Sequence, residues 1–82
     1  MFYVLKREVT EKMNGYEVTR WHDATYFEKK AKAEYKFGSL EKFFLAAGYW
    51  KKEKELGDMI ILHANDNPNK KMTISIETAD FS

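Results

Sequence analysis

Residues Ser39 to Thr78 read SLEKFFLAAGYWKKEKELGDMIILHANDNPNKKMTISIET, and this stretch decides the fold class. Ser39 is a helix-capping residue, and Leu40, Phe43, Phe44 and Ala47 follow at the spacing of one buried helical stripe. Gly48 stops that helix, since glycine accepts the left-handed conformation at a helix end. Three extended runs come next, Tyr49–Lys54, Met59–Ala64 and Met72–Thr78, separated by turn-rich breaks. Leu56-Gly57-Asp58 makes the first break. Asn65-Asp66-Asn67-Pro68-Asn69 makes the second, because Asn and Asp tolerate left-handed geometry and Pro fixes φ. Met59-Ile60-Ile61-Leu62 is apolar at consecutive positions, which predicts a central strand covered on both faces, or at least with little water on either. Met72, Ile74 and Ile76 alternate with Thr73, Ser75 and Glu77, the pattern of a half-buried strand.

Working back toward the N-terminus, Phe2–Val9 reads as a strand, Asn14-Gly15 as a tight hairpin turn, and Tyr16–Trp21 as the returning strand. Along that strand Tyr16, Val18 and Arg20 are expected on one face, with Glu17, Thr19 and Trp21 on the other. Thr25-Tyr26-Phe27-Glu28 matches a capping box, which starts a helix that Gly38 ends near Phe37. The competing reading extends the second strand through Phe27 and starts the helix later. The predicted order is β-β-α-α-β-β-β: an α+β, two-layer fold with two short helices on one face of an antiparallel sheet. The N-terminal hairpin is expected to join the same sheet, and residues 1–82 are expected to form one domain.

The 82 residues are 44% hydrophobic, 33% charged and 16% aromatic, a balance that suits a small packed core and not a disordered chain. There is no cysteine. That excludes disulfides, thiolate zinc sites and cysteine nucleophiles, and fits a reducing compartment. Residues 1–8 lack a signal-peptide layout, and no apolar run reaches the ~20 residues of a membrane helix. A cytoplasmic protein without membrane attachment is the expectation.

The net charge of +1 hides an uneven distribution. Between Lys29 and Lys54 eight lysines face three acids, while the rest of the chain holds six basic residues against ten acids. Lys29, Lys32 and Lys36 recur on one helical face, and Lys51, Lys52 and Lys54 follow Trp50. Such lysines can track phosphates, with an exposed ring stacking on a base. The same pattern also describes a solvated helix face and a lysine-protected edge strand. Arginine, the usual reader of bases, occurs only at Arg7 and Arg20.

Catalytic and metal chemistry find little footing. His22-Asp23 and His63 near Asp66 are the candidate acid–base pairs. Neither supplies the three or four converging ligands of a zinc site. Glycines 15, 38, 48 and 57 are all taken up as turn or cap residues, leaving none for a phosphate loop. No catalytic residue, metal or cofactor is assigned.

The amphipathic rings are more numerous than a small core can enclose. Tyr49, Trp50, Trp21 and Tyr35 are the candidate anchors for a protein partner. An edge strand of a small open sheet offers β-addition or a homodimer. The Leu40–Ile76 stretch resembles HicA-type toxins and other double-stranded-RNA-binding-like folds, in its aromatic helix, Gly-Tyr, charged strand and Asn/Pro turn. Where such a toxin would place Gly-Ser-His, this chain has Gly57-Asp58-Met59, so no catalytic residue carries over.

The function these readings favour is a small non-enzymatic protein-binding module. Accessory and inhibitor proteins of phages and mobile elements, such as anti-CRISPR proteins, are of this type. The alternatives are an RNA- or DNA-binding protein using the lysine face and a small ribonuclease-like toxin.

Overall fold

A computed structural model of the chain describes residues 1–80. Strand β1 (Phe2–Met13) turns into β2 (Tyr16–Phe27). Helix α1 (Lys30–Ala46) follows, then β3 (Trp50–Leu56), β4 (Met59–Ala64) and β5 (Lys70–Ala79). Among the described residues these form one five-stranded antiparallel sheet in the order β2-β1-β5-β4-β3, with one helix. The α+β class, the antiparallel sheet and the inclusion of the N-terminal hairpin agree with the sequence reading. The β-β-α-α-β-β-β order does not, because one helix stands where two were expected.

Two local signals were overruled. The capping box at Thr25 never starts a helix, since β2 continues through Phe27 and pairs Thr25, Tyr26 and Phe27 with Leu5, Val4 and Tyr3. Those β-branched and aromatic side chains suit a strand, and Phe27 packs on the core. Gly38 does not end a helix either. Its φ lies outside the left-handed region, and Ser39 Oγ donates to the Tyr35 carbonyl at 3.0 Å inside the running helix. The reason is tertiary. The connection from β2 to β3 joins opposite edges of the sheet. Five strands at about 4.8 Å spacing set those edges roughly 19 Å apart, and a 17-residue helix is about 25 Å long. One unbroken helix therefore makes the crossing. It also keeps Phe37 and Leu40, on either side of Gly38-Ser39, against the same core.

The helix stripe shifts accordingly. Ala33 is buried, and Phe37, Leu40 and Phe44 pack against the sheet at helical spacing. Phe43 and Ala47, expected on this stripe, are exposed. Gly48 does end the helix as expected, at φ 82°, after the Ala47 N–H donates to the Phe43 carbonyl.

Strand register places the core. Leu5 and Val9 of β1 oppose Ile76 and Met72 of β5, while Ile74 and Met72 oppose Ile60 and Leu62 of β4. Opposed residues share a face, so these side chains form one cluster under α1. Ile60, Leu62 and Ile74 have no exposed surface, and each contributes on the order of 1.5–3 kcal/mol by burial. β4 is an interior strand, as expected, but α1 covers only one of its faces: Ile60, Leu62 and Ala64 are buried, whereas Met59, Ile61 and His63 are half-buried. The other sheet face carries Lys6, Glu8, Thr73, Ser75 and Glu77, and Lys6 pairs with Glu77 at 2.7 Å. An antiparallel sheet tolerates this arrangement, with one face dry and one wet.

The turns follow their residues. Asn14 and Gly15 sit at φ 52° and 81°, the geometry a two-residue hairpin turn demands. Asn65 donates its side-chain amide to the Gly48 carbonyl and its backbone N–H to Tyr49, tying the helix exit to the end of β4. Asn67 Nδ2 reaches Glu11 Oε2 at 2.8 Å, so the Asn-rich turn is consumed in structure.

Glu11 also accepts from Arg20 Nε at 3.0 Å. The Arg20 hydrogen bond, then that of Asn67, holds its carboxyl below the usual carboxylate range. A lowered native pKa stabilises the fold above the unfolded carboxylate range, and the contribution disappears as pH falls through the lowered value. Glu11→Gln should therefore reduce the melting temperature at neutral pH and leave it nearly unchanged at strongly acidic pH. A pH series of thermal melts with parallel wild-type and variant curves would refute this.

A groove between α1 and β1

Strand alternation in β2 breaks at Arg20. Val9 opposes Trp21 but Thr10 opposes Thr19, so Arg20 is the extra residue of a β-bulge. The expected facing of β2 is corrected by it: Val18, opposite Glu11, and Trp21, opposite Val9, both lie on the helix side of the sheet. The next pair along the ladder on that side is Arg7 with Asp23.

These residues hold one another. The Arg7 guanidinium carbon lies 4.1 Å from the centre of the Trp21 ring and 5.1 Å from that of Phe44. Arginine stacks well on ring faces, because its planar cation meets the negative π surface and is weakly hydrated. Asp23 Oδ2 accepts from Arg7 Nη2 at a long 3.4 Å. Arg7 Nε is buried and, among the described residues, has no hydrogen-bond partner. The guanidinium is thus fixed in position by rings, with its hydrogen-bonding capacity only partly used.

Arg7 forms the floor of an open groove of about 350 Å³, walled by Lys36, Ser39, Leu40 and Phe43 of α1. Phe43 is 66% exposed and meets Phe44 edge to face, with ring centres 5.2 Å apart. Lys32 lies one turn before Lys36 on the same helix flank. The groove combines an exposed apolar ring with positive charge.

The residues singled out from sequence do not converge. Trp21 and Trp50 sit on opposite edge strands. Trp50 is half-buried and packs against the core, so it is a core ring more than a free anchor. Tyr49 and Tyr35 are exposed, at 73% and 79%, at the helix exit and on the helix side away from the sheet. The lysines also divide. Lys29 is the extended N-cap residue of α1 and lies outside the helix. Lys52 faces α1 and is bound to Glu41 at 2.7 Å and Glu55 at 3.3 Å. The hydrogen bond that Lys52 donates to Glu41 foremost raises its pKa above the ordinary lysine range. Lys51 and Lys54 oppose His63 and Ile61 on the uncovered face. His63 lies between Lys51 and Lys71 in the ladder, and His22 opposes Glu8. Among the described residues, no three His, Asp or Glu side chains are grouped to hold a metal ion, and no helix is long and apolar enough to cross a membrane.

Sequence reasoning named Trp21 and Lys36 in separate candidate sets and missed Arg7, which stacks on Trp21 and lines the groove with Lys36 and Phe43. The signal existed only in the register that brings Arg7 beside Trp21 and in the helix path that lays Phe44 against Arg7. No family model, curated protein or solved structure matches this chain, so the likeness of Leu40–Ile76 to HicA-type toxins stands without support from any of the three comparisons.

Proposed function

We propose that this chain is a non-enzymatic protein-binding module whose groove between α1 and β1 receives a partner segment carrying a carboxylate next to an apolar side chain. The observation that supports it is Arg7: a guanidinium held against Trp21 and Phe44, with its Nη2 reaching Asp23 only at 3.4 Å, at the floor of a groove edged by exposed Phe43 and by Lys36. Rings and arginine at the centre of a patch are the residue types that dominate protein interfaces. A carboxylate gives Arg7 the charge-assisted partner that Asp23 supplies only at long range. A chain that binds in this way could inhibit its partner by covering the partner's surface, as an accessory protein of a phage or mobile element would.

The rival is nucleic-acid binding through Lys29, Lys32, Lys36, Lys51, Lys52 and Lys54. Their division between two faces, and the engagement of Lys52 by two glutamates, weigh against a continuous phosphate track.

The test is recovery of partners by the tagged chain from host lysate, with and without nuclease. The wild-type chain should retain a nuclease-resistant protein partner. Phe43→Ala and Lys36→Glu should each weaken that complex by more than about 1 kcal/mol, roughly fivefold in Kd, with unchanged melting temperature. Tyr35→Ala, outside the groove, should not. Recovery that collapses with nuclease, or is indifferent to Phe43 and Lys36, overturns the reading.

A further inference from the structure

The sheet has two edges, and they are built differently. β3 is seven residues long, carries Lys51, Lys52, Glu53, Lys54 and Glu55, and is broken by a bulge between Lys52 and Lys54. Lysines and bulges are the devices by which proteins block further strand pairing. A full-length antiparallel pairing of β3 with its own copy would set Glu53 against Glu53 and Lys52 against Lys54, like against like, with unlike charges opposed only at Lys51 and Glu55.

The β2 edge lacks these devices past its own bulge. From Trp21 to Phe27 the strand pairs regularly with β1, and the run Trp21-His22-Asp23-Ala24-Thr25-Tyr26-Phe27 contains no lysine, proline or glycine. Among the described residues no strand lies beyond it. Its sequence is also self-complementary. Antiparallel pairing about Ala24 sets Trp21 opposite Phe27, His22 opposite Tyr26 and Asp23 opposite Thr25, with Ala24 opposite itself. Two ring pairs, one acceptor–hydroxyl pair and one small pair on the axis result, with no like charges opposed.

We infer that the chain pairs with a second copy of itself along Trp21–Phe27 of β2, with Ala24 on the two-fold axis. The two sheets become one continuous ten-stranded sheet. Odd-numbered residues meet odd-numbered residues across the axis, so both α1 helices lie on the same side. Trp21 of each copy then sits beside Phe27 of the other. The pairing does not depend on the groove's having a partner: a dimer that binds nothing would refute the proposed function and leave this inference standing.

The experiment is light scattering on the full chain over a concentration series, with two variants. The wild-type protein should show a concentration-dependent dimer. Ala24→Glu sets two carboxylates against each other across the axis, while within each copy it lies opposite Lys6 on β1, a neighbour that accommodates it. It should raise the dimer Kd by about fivefold or more with little change in melting temperature. Because the chain has no cysteine, Ala24→Cys should give a clean oxidised dimer, since directly opposed residues stand about 4.5–5.5 Å apart, within disulfide reach. Lys54→Cys on β3 should not cross-link. A monomer at every concentration, a dimer indifferent to Ala24→Glu, or cross-linking at Lys54 in place of Ala24 overturns the inference. So does a monomer in which Ala24→Glu abolishes capture of a foreign protein, because the edge then serves another chain's strand.

Discussion

Leu62→Ala is expected to remove about 2–5 kcal/mol of stability, the range for truncating a large buried aliphatic side chain and leaving a cavity. Leu62 has no exposed surface. It lies mid-strand in β4, opposite Met72 of β5 and Lys52 of β3, in the cluster over which Leu40 and Phe44 of α1 close. A domain of this size has a total stability of roughly 4–12 kcal/mol. The substitution should thus consume a large fraction of it and leave a measurable unfolded population. Urea denaturation checks this, with Leu56→Ala as the comparison. Leu56 is 48% exposed at the end of β3, and its truncation should cost no more than about 0.5 kcal/mol. Equal midpoints for the two variants would mean that α1 does not close over β4.

The second large effect concerns Gly38, where the single helix and the pair of helices predict opposite signs. In one continuous helix Gly38 is an interior residue that adds backbone entropy to the unfolded state. A Cβ at this position meets no atom within 4 Å beyond its chain neighbours and the local helix backbone. Gly38→Ala should then stabilise the protein by about 0.5–1 kcal/mol. Gly38→Pro should cost about 3 kcal/mol or more, since it deletes a mid-helix hydrogen bond and its ring clashes with the preceding turn. Were Gly38 a left-handed helix stop, alanine there would destabilise. Denaturation midpoints of the two variants decide it, and a destabilising alanine restores the second helix.

Some of this molecule was legible from local chemistry. The β4 limits, Met59 to Ala64, fall where the apolar run and its flanking turns put them. Asn14-Gly15 turns the hairpin and Gly48 ends the helix, because few other residues accept a positive φ. The alternation in β5 showed which side of it is buried. Each signal acts within a few residues, where sterics and burial leave little choice.

The errors arose where a local preference met a longer-range one. Thr25 and Glu28 form a sound capping box, yet β1 offered Thr25, Tyr26 and Phe27 a ladder to extend, and the ladder prevailed. Gly38-Ser39 is a sound helix break, but two separated edge strands required a long crossing. The bulge at Arg20 has no signature in sequence, and without it Trp21 would face away from Arg7.

The chain's own residues determined its class, its turns, the buried side of β4 and β5 and the absence of thiol chemistry. Tertiary structure decided the strand order, the length of α1, which edge stayed bare and which rings gathered around Arg7. The division has a physical reason. Backbone sterics and period-two burial are set by neighbours in the chain. Strand order, helix length and the stacking of Arg7 on Trp21 and Phe44 depend on residues that the finished sheet alone brings into contact.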